Sequence, residues 1–211
     1  MGLAVSSLPG TAERFLFRPQ DGSELRLVAV LDADQRDQLD ILRAVIQGWA
    51  AATVDDDIAA SIIDRLMLVD LAAVSDNIAS LLAAEGQSGA AAPSEWHDFP
   101  TARQLAAMVW ARIGRSALEP EVDDWLGRAI NHSAGRIAEF WLRGVGADWR
   151  AAGETWSGLP ATTRGQLEVL LTGEDERVAI AEVVFASQVL FFYGADRSWC
   201  LEWGVAPARL D

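Results

Sequence analysis

The chain has 211 residues, 51% of them hydrophobic and 23% charged, a balance that builds a folded core and excludes wholesale disorder. Its 17 basic residues, all arginine, face 31 acidic ones, and the formal net charge of −14 repels a nucleic-acid backbone and gains nothing at an anionic membrane. The one cysteine, Cys200, excludes an intrachain disulfide and, among apolar and acidic neighbours, predicts a buried structural thiol in a reducing compartment.

The N-terminus has no basic leader, and Pro9-Gly10 interrupts the apolar stretch a secretory signal needs, so a cytoplasmic protein is expected. Met1-Gly2 with Ser6 matches a myristoylation pattern, a short match that carries meaning only in a eukaryote. Phe15, Phe17, Leu25, Leu27 and Ala29 alternate around Arg18-Pro19-Gln20-Asp21-Gly22-Ser23, which predicts a small β-hairpin. A short helix through Glu24 to Leu31 is the alternative.

From Asp34 the period becomes helical. Leu39, Leu42, Val45, Ile46 and Trp49 share one face of a first helix. A second begins near Asp55-Asp56-Asp57, three acids suited to the positive end of a helix dipole, and turns Ile58, Ile62, Ile63, Leu66 and Val69 inward. A third follows Asp70 with Leu71, Val74, Ile78, Leu81 and Leu82. Short connections predict that consecutive helices pack antiparallel. Glu85 to Pro93, rich in Gly, Ala, Ser and Gln, reads as a linker.

Beyond it, helices are predicted over Thr101–Ile113, Glu121–Asn131, Ser133–Trp149, Thr162–Leu171 and, as one long element, Asp175–Tyr193. The last is apolar almost all round and so predicted to be buried on most sides. Its uncharged part, Val183 to Ala195, is well short of a membrane span. Gly144-Val145-Gly146 lacks the third glycine and the preceding strand of a dinucleotide fingerprint, and is expected to loosen or end its helix before Trp149. Of the nine tryptophans, Trp49, Trp110, Trp125, Trp141, Trp149, Trp156, Trp199 and Trp203 are expected to mark helix contacts. The resulting fold class is mainly α, an antiparallel helical-repeat (HEAT-like) stack with a small N-terminal hairpin. It divides into residues 1–85, a linker over 86–100, and a Trp-rich block over 101–211.

Charge is unevenly spread. Residues 1–100 carry 6 Arg against 16 acids, residues 101–165 carry 8 against 7, and residues 166–211 carry 3 against 8, so only the middle can present a basic face. There Asn131-His132-Ser133 precedes a helix whose apolar face is Ala134, Ile137, Ala138, Trp141, Leu142 and Val145. His132, Arg136, Glu139, Arg143 and Arg150 fall opposite, and with Asn131 they form a candidate face for an acidic or phosphate-bearing partner. The plainer reading is that Asn131 or Ser133 caps the helix and that Glu139 and Arg143 pair across one turn.

Chemistry beyond binding finds little support. Nothing joins Ser187, His132 and Asp148 into a triad, and Ser187 lacks the G-x-S-x-G elbow. His97 and His132 are far apart with no cysteine pair, and Asp55-Asp56-Asp57 lacks the spacing of a calcium loop. No catalytic, cofactor or metal residue is therefore assigned.

One resemblance runs from about Glu121 to Trp199. It is carried by Asp124-Trp125, Asn131-His132, Gly135, Glu139-Phe140-Trp141-Leu142, Trp149-Arg150-Ala151-Ala152-Gly153, Trp156-Ser157-Gly158-Leu159-Pro160, Ala186-Ser187-Gln188 and Phe191-Phe192. This segment resembles the C-terminal helical domain of unknown function in bacterial sirtuin-type anti-phage defence proteins. The resemblance implies a module in which helical repeats detect a phage component while a separate sirtuin-like domain consumes NAD. No residue here matches that second domain, and the tail from Leu201 to Pro207 departs from the family's ending; a fragment, a truncated product and a stand-alone relative all fit. The expected function is a non-enzymatic interaction module that binds a protein partner or itself, with no nucleic acid, membrane or cofactor. The alternative is a free-standing acidic protein of the immunity or antitoxin kind that neutralises a basic partner. A hydrolase centred on His132 is the third reading.

Overall fold

The structure, a computed structural model, describes residues 36–50, 56–84, 96, 100–117 and 124–204. The expected hairpin, the linker stretch from Glu85 to Pro93 and the myristoylation match lie outside these residues. Among the described residues the chain is helical, without a strand; its one β-type contact is an isolated bridge between Ala117 and Asp175.

Among the described residues ten α-helices follow one another. They are α1 (Arg36–Ala50), α2 (Asp56–Leu66), α3 (Leu71–Ala83), α4 (Pro100–Arg112), α5 (Trp125–Asn131), α6 (Ser133–Ala152), α7 (Ala161–Leu170), α8 (Glu176–Ser187), α9 (Val189–Ala195) and α10 (Arg197–Trp199). Short polar side chains set several of the starts. Asp70 accepts the Ala72 N–H, Asp124 the Gly127 N–H and Asp175 the Val178 N–H, each supplying an acceptor to a first turn that lacks one. Asp56 and Asp57 occupy the first turn of α2 and Arg65 its last, the order a helix dipole favours.

Helix α6 is the axis of the fold. It packs against α3, α4, α5, α7 and α8, and one continuous hydrophobic cluster runs from Leu42 on α1 to Cys200 at the end of α10. The faces read from periodicity are the faces buried: Leu42, Ile46, Ile62, Ile63, Val74, Ile78, Leu105, Val109, Ile137 and Val145 are all 1% exposed or less. All nine tryptophans lie in this cluster or against it. Among the early helices the extensive contacts are those of α1 with α3, α3 with α4 and α2 with α4, of which only α3 and α4 are neighbours in the chain.

Two expectations are corrected. The long helix over Asp175–Tyr193 is two helices, α8 and α9, bent by 73° at Gln188. The Ser187 hydroxyl donates to the Val184 carbonyl, and Gln188 leaves helical geometry at φ −117°. An apolar run that surrounds a straight helix cannot bury every side against one core. The bend instead brings Phe185 and Phe192 edge to face at 5.1 Å and sets Phe192 against Trp199, at the cost of leaving Leu190 84% exposed. Similarly, Gly144 and Gly146 do not end α6, which continues to Ala152. Both are buried, and a Cβ on Gly146 would stand 3.8 Å from the Phe191 ring, an ordinary packing contact. The stop comes at Gly153, whose φ of +51° suits a residue without a Cβ.

Among the described residues no single helix is long and apolar enough to cross a membrane.

Candidate functional site

The region around His132 is a polar joint among four helices. Helices α5 and α6 are separated by His132 alone, which serves both. Its N–H donates to the Arg128 carbonyl at 3.0 Å and closes α5; its own carbonyl accepts the Arg136 N–H at 3.1 Å and opens α6. With an extended backbone (φ −92°, ψ 144°), its ring folds back so that Nδ1 accepts the Ala134 N–H at 3.0 Å. The helix cap is thus His132, and neither Asn131 nor Ser133 performs it. Asn131 is exposed and its side-chain amide donates to the Gly127 carbonyl at 2.8 Å, inside the last turn of α5, while Ser133 is buried. Gly135 makes the joint possible: a Cβ there would stand 1.8 Å from the Ala129 carbonyl oxygen.

Side chains from two further helices, α8 and α3, meet this joint. Arg128 of α5 pairs with Glu176 at the start of α8, where the Glu176 side chain is 9% exposed. Arg136 of α6 donates to the Ser80 hydroxyl on α3, and Ser80 in turn donates to the Asp76 carbonyl at 2.6 Å. The Glu176 N–H is tied to the Ser116 carbonyl at 3.0 Å, which fixes the start of α8 beside the end of α4. Burial lowers the pKa of His132; Glu176 and Asp76 act against that, while Arg128 and Arg136 add to it. The imidazole is therefore held in its neutral form at neutral pH.

The expected arginine face is less continuous than its spacing implied. Arg136 turns toward α3, Arg143 is held by Glu139 at 3.6 Å, and only Arg150 is exposed. The Glu139–Arg143 pair is partly exposed and of the i, i+4 kind, which contributes about 0.2–0.5 kcal/mol. The three residues considered as a triad have other partners: Asp148 receives both terminal nitrogens of Arg103 at 2.7 and 3.0 Å, and Ser187 and His132 are engaged as already described. Among the described residues no group of three or more His, Cys, Asp or Glu side chains is placed to hold a metal. The Cys200 thiol is buried, its pKa is raised by that burial and then by Asp196, and its sulfur lies 3.6 Å from the Val189 carbonyl.

Two other polar features escaped the sequence. A cleft of about 290 Å³ between α4, α6 and α7 is lined by Arg103, Gln104, Ala107, Trp141, Thr162, Thr163 and Gln166. Its Arg103 is engaged by Asp148, and the Trp141 indole N–H lies buried without a hydrogen-bond partner. The second is Asp196, 7% exposed, which gathers the Leu159 and Trp199 N–H groups, the Ser198 hydroxyl and Arg164. Burial pushes this carboxyl upward, but those four donors together outweigh it and hold it at about 2. The Asp-x-Ser start at Asp196 carries a capping signal; the partners of Glu176 and Arg128 carry none, because their meeting depends on how distant helices pack.

No family of known proteins, no curated protein and no solved structure matches this chain.

Proposed function

We propose that the chain is a non-enzymatic helical interaction module that binds a protein partner, or a second copy of itself, through the outer face of α5. The carrying observation is that Leu126 and Ile130, one turn apart on this helix, are each 53% exposed. Apolar side chains at i, i+4 make a ridge that gains free energy only when another surface covers it. The polar groups beneath favour the same reading. Arg128 and Arg136 are spent on Glu176 and Ser80, so the joint holds the ridge in place rather than offering reactive groups. The HEAT-like repeat character, and a part in anti-phage defence of the sirtuin type, belong to this proposal. Mutual packing of α5, α6 and α8 supports the first, and the resemblance over about Glu121 to Trp199 supports the second.

Sedimentation velocity over a concentration series, together with capture from phage-infected and uninfected bacterial lysates, tests the reading. Self-association or specific capture that is lost in Leu126→Asp/Ile130→Asp is expected. A chain that stays monomeric and captures nothing contradicts it.

A second reading is favoured by the acidic surface of α2 and α3, where Asp57, Asp64 and Asp76 are exposed. A basic partner neutralised there binds with an affinity that falls steeply with added salt. Binding through α5 is the less salt-sensitive of the two.

A further inference from the structure

The joint at His132 couples a titratable ring to the geometry of two helices. Its neutral ring serves as the cap only while Nδ1 is an acceptor, which places the ring hydrogen on Nε2. We propose that the α5–α6 joint is an acid-sensitive hinge: a second proton, taken up at Nδ1 of His132, removes the cap of α6 and loosens the orientation of α5.

The geometry carries the argument. An imidazolium has donors at both nitrogens and no acceptor, so the Ala134 N–H would face another donor at the distance now occupied by a hydrogen bond. The ring also stands at the N-terminus of a 20-residue helix, where the dipole disfavours positive charge. The charged groups acting on it come from every neighbouring helix. Glu176 of α8 and Asp76 of α3 favour the charged ring, whereas Arg128 of α5 and Arg136 of α6 oppose it. Glu176 is already paired with Arg128, so its negative charge is not at the ring's sole disposal. Relief comes from movement, and α5 is the element free to supply it: seven residues, with Leu126 and Ile130 turned outward. Its place as the partner surface rests on the proposed function; the acid response of the joint does not.

The direction of the pH effect follows from the lowered pKa. The unfolded or opened ring binds its proton at the ordinary histidine value, the closed ring only at lower pH, so the closed joint is fully favoured above about pH 6.5 and weakens below it. The Asp196 carboxyl, held at about 2, stays charged through this range and does not confuse the readout.

Two measurements on the intact chain test this. Imidazole nitrogen NMR at neutral pH is expected to show His132 as the Nε2–H tautomer with Nδ1 accepting a hydrogen bond; an Nδ1–H tautomer overturns the proposal. Amide hydrogen exchange, corrected for intrinsic rates, is expected to show protection of Ala134 and Gly135 falling about fivefold from about pH 7.5 to about pH 5. His132→Asn, which caps without titrating, is expected to keep that protection across the range. Protection in the wild type that does not change with pH overturns the hinge, as does an equal loss in His132→Asn. Either failure leaves the Leu126 and Ile130 surface untouched, because neither measurement involves a partner.

Discussion

Arg177, at the second position of α8, reaches across to Trp110 on α4: its Nη1 donates to the Trp110 carbonyl at 2.8 Å, and its guanidinium carbon lies 5.0 Å from the centre of the indole ring. The same side chain, 6% exposed, gives its Nε to Asp175, the cap of its own helix. One arginine therefore joins the end of α4 to the start of α8, beside the Glu176 that serves the His132 joint. Arg177→Met removes the charge and the donors that the Trp110 carbonyl and Asp175 receive from it, leaving Asp175 the Val178 N–H. A loss of about 3–5 kcal/mol in urea unfolding is expected. Arg177→Lys is expected to recover little of it, since one ammonium cannot reproduce the planar, forked contacts. A Lys variant as stable as the wild type contradicts this account.

Acid stability has a specific source in Asp196. Its folded pKa is depressed to about 2 from an ordinary value of 3.8, so its contribution is fully present above about pH 4 and is lost as pH falls toward 2. The shift corresponds to roughly 2 kcal/mol. Asp196→Asn is expected to lower stability at neutral pH by about that amount and to flatten the pH dependence of unfolding between pH about 4 and about 2. Equal slopes in variant and wild type place the acid response elsewhere.

Two glycines in helices answer oppositely to alanine. A Cβ on Gly135 meets the Ala129 carbonyl oxygen at 1.8 Å and its carbon at 2.7 Å, both backbone atoms that cannot swing aside. Gly135→Ala is expected to cost at least about 3 kcal/mol in chemical unfolding and to broaden the amide signals of the α5–α6 joint. Gly165, mid-helix in α7, has nothing within 4 Å of its Cβ position, and Gly165→Ala is expected to stabilise by about 0.5–1 kcal/mol. Similar outcomes for the two substitutions refute the close approach of α5 and α6.

The contrast between what could and could not be read from the sequence follows the range of the interactions involved. Leu71, Val74, Ile78 and Leu81 recur at helical spacing, so the buried face of α3 is a local property and legible. The cap at His132 was missed because Asn131 and Ser133 are commoner caps. What decides against them is that Asn131 bonds within α5 and Ser133 is buried against the core. The bend at Gln188 was missed for a related reason: hydrophobicity continues through it, and only the need to bury Phe185 and Phe192 together reveals it. The Arg128–Glu176 pair and the Arg136–Ser80 contact were beyond reach, since residues on separate helices meet only after α3, α5, α6 and α8 have packed.

The central claim is that α5 presents a binding ridge, and the most direct measurement compares wild type with Leu126→Asp/Ile130→Asp. Both side chains are about half exposed, so the double variant is expected to unfold within about 0.5 kcal/mol per site of the wild type. With folding thus preserved, the account predicts that self-association in sedimentation velocity, or capture of a specific protein, is abolished in the variant and retained in the wild type. Association that survives both aspartates in a fully folded chain contradicts it.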